Sequence, residues 1–112
     1  MGIEQDYILR LAKQIAEAVA RMMGLRKGGR PDEALVVAEG AYGDLLGLPA
    51  GLIDRIDAAT LARILGAPDK CRVVADLLEA EAMVLDTLGD AVRAEQRRAL
   101  AAGVRPSREP DA

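Results

Sequence analysis

The chain has 112 residues, the size of one ordinary domain, and 51% of them are hydrophobic, enough for a core. It contains no Phe and no Trp, so that core must be built from Leu, Val, Ile, Met and Ala. A formal net charge of −3 argues against a duplex-binding domain, and the absence of His with a single Cys removes the usual zinc and iron ligand sets and any internal disulfide.

The first predicted element runs from Ile3 to Gly24. Ile8, Leu11, Ile15, Val19 and Met22 recur at helical spacing, while Asp6, Arg10, Lys13, Glu17 and Arg21 take the opposite face. Gly24 is the expected stop. Arg26 to Arg30 reads as a loop. Pro31, Asp32 and Glu33 then suit the opening turn of a second helix, because Pro lacks only a donor that is unpaired there and the acids meet the positive end of the helix dipole. This helix should extend to Leu46 before Gly47. Gly40 and Gly43 lie within it, which suggests close approach by a neighbouring backbone.

Pro49 to Gly66 reads as two short helical turns, the first around Leu52, Ile53 and Ile56. Asp57 caps the second, which carries Leu61, Ile64 and Leu65. Pro68 to Leu88 is the next long helix and the expected centre of the fold, since Cys71, Val74, Leu78, Ala82 and Leu85 form one apolar stripe and Val73, Leu77, Ala80, Val84 and Leu88 form another. Its polar strip is Arg72, Asp76, Glu79 and Asp86, interrupted by Met83. Gly89 and Asp90 make a turn before a last helix from Ala91 to Ala102. Residues 103–112, with two prolines and no apolar period, form an expected disordered tail beyond a single helical domain of residues 1–102.

The fold class expected is therefore all-α, two helical hairpins joined by short helical turns. Gly29 to Ala34 and Gly89 to Ala94 have equal spacing, and this pattern resembles the tetratricopeptide turn, in which Gly permits a tight reversal and a small Ala lets paired helices approach. The opening Gln5-Asp6-Tyr7-Ile8-Leu9-Arg10, an Ala-rich helix and Leu25-Arg26-Lys27 resemble a small bacterial family of unknown function with tetratricopeptide-like helices. That resemblance spans Gln5 to about Ala101 and implies a fold, without an activity, a ligand or catalytic residues.

No catalytic, cofactor or metal site is legible. Asp76, Glu79 and Glu81 lie along one helix, with Asp76 and Glu79 on a shared face, whereas paired-carboxylate sites draw their groups from different elements, so these acids read as a solvated face. Cys71 stands beside Lys70 and Arg72 near a helix start, but lies on the apolar stripe and reads as a packed side chain. The basic Arg26-Lys27-Gly28-Gly29-Arg30 lacks the phosphate-loop spacing and reads as a turn.

The expected function is a non-enzymatic protein–protein interaction module or homo-oligomer, most simply a homodimer. The candidate surface comprises Met83, which breaks a polar strip, Val36, on the outward side of its helix, and the pair Met22 and Met23. The alternative is a small nucleic-acid-associated regulator using Arg93, Arg97, Arg98, Arg105 and Arg108, although stacking aromatics are absent from that region. No apolar run approaches the roughly 20 residues that span a bilayer, and the N-terminus lacks the basic and apolar regions of a signal peptide. The expected setting is cytoplasmic.

Overall fold

The structure, a computed structural model, describes residues 3–106, with side chains from Gln5 onward. Its five α-helices are α1 (Ile3–Lys27), α2 (Pro31–Leu46), α3 (Ala58–Leu65), α4 (Pro68–Thr87) and α5 (Ala91–Val104), with one 3₁₀ turn at Leu52–Asp54. The class is all-α.

The two long hairpins close on the same backbone device. At the end of α1, Arg30 N–H donates to Leu25 O at 2.8 Å and Gly29 N–H to Arg26 O at 3.2 Å. At the end of α4, Asp90 N–H donates to Leu85 O at 2.9 Å and Gly89 N–H to Asp86 O at 3.0 Å. Both pairs form the Schellman cap, which satisfies carbonyls that a helix end leaves unpaired. The cap needs a left-handed residue, and Gly29 and Gly89 supply it with φ of 79° and 83°. A side chain at such a φ costs roughly 1–2 kcal/mol. Five residues after each glycine, Ala34 and Ala94 are fully enclosed where the returning helix meets its partner.

Helix α1 does not stop at Gly24. A Cβ at Gly24 would meet nothing within 4 Å outside its own helix, and the cap at Gly29 carries the helix on to Lys27. The close backbone approach expected at Gly40 and Gly43 is absent. A Cβ at Gly40 would meet only Asp44 Oδ2 at 4.0 Å, and one at Gly43 only Leu48 O at 3.9 Å. Close approach occurs at Gly103 instead, where an added Cβ would stand 2.4 Å from Ala58 Cβ. This contact lets α3 pack on α5. Gly103 and Val104 accordingly belong to α5, and Val104 is buried, so the expected tail does not begin at residue 103. Residues 107–112 lie outside the described part.

Helix α4 is the hub, packing on α1, α2, α3 and α5. Arg26 Nε donates to Thr87 Oγ1 at 2.9 Å, and the Lys70 ammonium lies over the Tyr7 ring at 5.5 Å. These contacts join the C-terminal ends of α1 and α4 and their N-terminal ends, so the two helices run parallel. The core between them is aliphatic, including Ile15, Met22, Leu77, Leu78 and Val84, all fully buried. Asp57 caps α3 as expected, accepting from Thr60 N–H at 3.1 Å and from the Thr60 hydroxyl at 2.7 Å. No described helix is long and apolar enough to cross a membrane.

Candidate functional site

The expected surface residues differ in exposure. Val36 is 67% exposed and Met83 is 43% exposed, Met23 is half-buried, and Met22 is fully enclosed in the core. Met22 is thus a packing residue and is removed from the candidate surface: it faces the same interior as Leu11 and Ile15, at helical spacing from them. Along the exposed strip of α4, Met83 sits between two bridges, one to α5 and one to Arg105 just past its end. Arg98 Nη1 reaches Asp86 at 2.8 Å on one side, and Arg105 Nη2 reaches Glu79 at 2.9 Å and Asp76 at 3.1 Å on the other.

The described C-terminal arginines are engaged within the fold. Arg93 reaches Asp54 and Asp90, Arg97 reaches Glu81 and Asp54, and Arg98 and Arg105 bridge to α4. Arg108 lies outside the described residues. Cys71 is buried, and burial pushes its thiol above the ordinary range, outweighing nearby Lys70.

Glu81, expected with Asp76 and Glu79 on a solvated face, instead centres the most enclosed polar site, because it falls on the buried arc of α4. Glu81 is completely buried and Arg97 only 2% exposed, two charged groups inside an aliphatic core. Glu81 Oε1 accepts from Arg97 Nε at 2.6 Å and from the Tyr42 hydroxyl at 2.7 Å. Arg97 Nη2 continues the chain to Asp54 Oδ1 at 2.7 Å, and Nη1 meets Gln96 Oε1. Gln96 Nε2 donates to Ile53 O at 2.9 Å, and Arg93 Nε donates to Asp54 Oδ1 at 3.3 Å. The chain ties together α2, the 3₁₀ turn, α4 and α5.

The electrostatics follow from that arrangement. Burial raises the Tyr42 hydroxyl well above its ordinary value, and the Glu81 carboxylate raises it further. Burial alone would lower Arg97, but its hydrogen bond and charge pairing with Glu81 outweigh this and raise it. Burial alone would raise Asp54, but the hydrogen bond from Arg97 holds it below the ordinary carboxylate value. Removing ions from water is costly, and a close, hydrogen-bonded partner is what makes a buried ion tolerable.

A pocket of about 290 Å³ opens beside this chain. Glu39, Tyr42 and Gly43 of α2 form one side. Leu48, Pro49, Ala50 and Gly51 of the following loop and Ile53 and Asp54 of the 3₁₀ turn form another, and Glu81, Arg93 and Arg97 complete it. One oxygen of the network is unmatched: Glu81 Oε2 is buried without a hydrogen-bond partner among the described residues.

A sequence signal for Glu81 existed. It falls four residues after Leu77 and four before Leu85, on the buried arc of α4. Nothing at the sequence level pairs it with Arg97 or Tyr42, which lie 16 and 39 residues away. Among the described residues no group of three His, Cys, Asp or Glu side chains is arranged to hold a metal ion.

Comparison with known proteins returned no matching family model, no matching curated protein and no matching solved structure.

Proposed function

We propose that this protein is a non-enzymatic interaction module, and that the pocket beside Glu81 is its recognition point. The observation that carries this reading is the convergence of α2, the 3₁₀ turn, α4 and α5 on one hydrogen-bonded chain with a pocket at its side. Tyr42, Arg97 and Asp54 are each stabilised in the protonation state they already hold near neutral pH. Proton-transfer catalysis works best with a group tuned toward that pH. Fixed hydrogen-bonding groups at an opening suit recognition instead.

The reading extends to a cytoplasmic protein whose partner is another protein or a second copy of the chain. Membership of the small bacterial tetratricopeptide-like family belongs to the same proposal. The repeated glycine caps and the parallel α1 and α4 support it. Nucleic-acid binding is the less favoured reading, because Arg93, Arg97, Arg98 and Arg105 are already paired with carboxylates.

Capture of tagged protein from its host lysate, read by mass spectrometry, tests the module with three baits: wild type, Gly43→Leu and Met83→Ser. Gly43 lines the pocket, and a Cβ built there would meet only Leu48 O, at an ordinary contact distance of 3.9 Å. The expected result is a stoichiometric partner retained by wild type and Met83→Ser and lost with Gly43→Leu. Equal recovery by all three baits would contradict the pocket assignment. Light scattering over a concentration series reads the homodimer arm.

A further inference from the structure

Between α2 and α3 the chain leaves helix at Gly47 and re-enters it after Asp57. Residues 49–56 make their backbone hydrogen bonds within that stretch. Leu52 N–H donates to Pro49 O at 3.1 Å, Asp54 N–H to Gly51 O at 3.2 Å, and the Arg55 and Ile56 N–H groups to Leu52 O at 2.9 and 3.0 Å. The Arg55 side chain also turns back, its Nη1 donating to Gly51 O at 3.2 Å. Among the described residues no backbone hydrogen bond joins this stretch to a helix.

Its polar ties to the body are side-chain bonds from a single turn of α5. Arg97 Nη2 and Arg93 Nε both donate to Asp54 Oδ1, and Gln96 Nε2 donates to Ile53 O. The two ends of this latch differ. Arg97 has a side-chain exposure of 3% and is fixed from within by the fully buried Glu81, whereas Asp54 is 45% exposed. An ion pair with one end in water holds less firmly than an enclosed one, so the chain of bonds parts first at Asp54. The apolar hold is also small. Ile53 is buried and Leu52 and Ile56 are half-buried, but Pro49, Ala50, Gly51, Asp54 and Arg55 are exposed. Pro49, Ala50, Gly51, Ile53 and Asp54 line the pocket of about 290 Å³, so part of their inner side lacks packed neighbours. Few buried apolar contacts and exposed backbone bonds mark the segments that open at low cost.

We propose that residues 49–56 form a strap that opens as a unit while the helices stay folded, when Asp54 leaves Arg93 and Arg97, and that its opening widens the pocket over Tyr42 and Arg97. This goes beyond the recognition reading, and its measurement needs no partner.

Amide hydrogen exchange of ¹⁵N-labelled full-length protein, with and without sub-denaturing urea, tests the strap. In wild type the Leu52, Asp54, Arg55 and Ile56 amides should be less protected than the Leu77, Leu78 and Val84 amides of α4 by about a hundredfold or more, with one shared urea slope above zero and below that of α4. Asp54→Ala removes both guanidinium ties and leaves Arg97 with Glu81, so protection of all four strap amides should fall by a common factor of about ten. Ile15→Val thins the buried core away from the strap. It should lower α4 protection by about two- to tenfold and leave the strap amides within about twofold of wild type. Strap protection equal to that of α4, or strap amides that follow Ile15→Val in step with α4, would mean that the strap opens only with the whole fold and would overturn the proposal. Strap amides unmoved by Asp54→Ala, or with a urea slope of zero, would overturn it as well, because the exchange would then be the fraying of single bonds.

Discussion

At Glu81 a single carboxyl oxygen carries two hydrogen bonds and its twin carries none. The asymmetry makes Tyr42 and Arg97 unequal partners. Arg97 neutralises the charge, whereas Tyr42 supplies a hydrogen bond from a fully desolvated hydroxyl. Tyr42→Phe should therefore leave the ion pair intact and cost about 1.5–3 kcal/mol, the range for a hydrogen bond to a charged group. Urea unfolding would show this as a lower midpoint with an unchanged slope. Glu81 also shows how far a sequence reaches at this scale. Its place on the buried arc between Leu77 and Leu85 is written in helical periodicity, but its partners come from other helices, and periodicity carries no information across a fold. Met22 teaches the complement: its pairing with Met23 at a helix end suggested a surface, while its register with Leu11 and Ile15 placed it in the core.

The helices themselves were largely legible, because caps and apolar stripes are local. The equal spacing from Gly29 to Ala34 and from Gly89 to Ala94 becomes one backbone motif used twice. The misreadings concern glycine, whose role depends on what lies next to it in space. Gly40 is open to solvent and in helical conformation, so Gly40→Ala should stabilise the protein by about 0.4–1 kcal/mol through a less flexible unfolded chain. Gly103→Ala should act in the opposite direction. Its Cβ would overlap Ala58 Cβ, and overpacking of this kind costs about 1–3 kcal/mol. Thermal unfolding of both variants checks the pair, and the two midpoints should move apart. A stabilised Gly103→Ala would mean that α3 and α5 are not in contact as described.

Over the whole molecule, the pH dependence of stability should form a plateau. Asp54 has a lower pKa folded than unfolded, so its contribution is present above its unfolded value and is lost as pH falls through the folded one. Asp86, held down chiefly by its hydrogen bond from Arg98, follows the same direction. Both are substantially exposed, so the acid limb should be shallow. Tyr42 and Cys71 have raised values, so their contributions are present at lower pH and are lost as pH rises past their unfolded values. The chain has no histidine to titrate between these limits. Urea midpoints should stay level from about pH 5 to about pH 8 and decline on either side. A step near pH 6.5 would contradict this distribution of charges.

The central claim is that the Glu81–Arg97 pair holds the four elements around the pocket as one unit. A double-mutant cycle with Glu81→Met, Arg97→Met and both together measures this most directly. Each single variant strands a buried charge and should cost about 3–5 kcal/mol. The double variant should cost clearly less than their sum, with a coupling energy above about 1 kcal/mol. Additive losses, within about 0.5 kcal/mol, would show that the two groups act independently and that the pocket is not organised by their pairing.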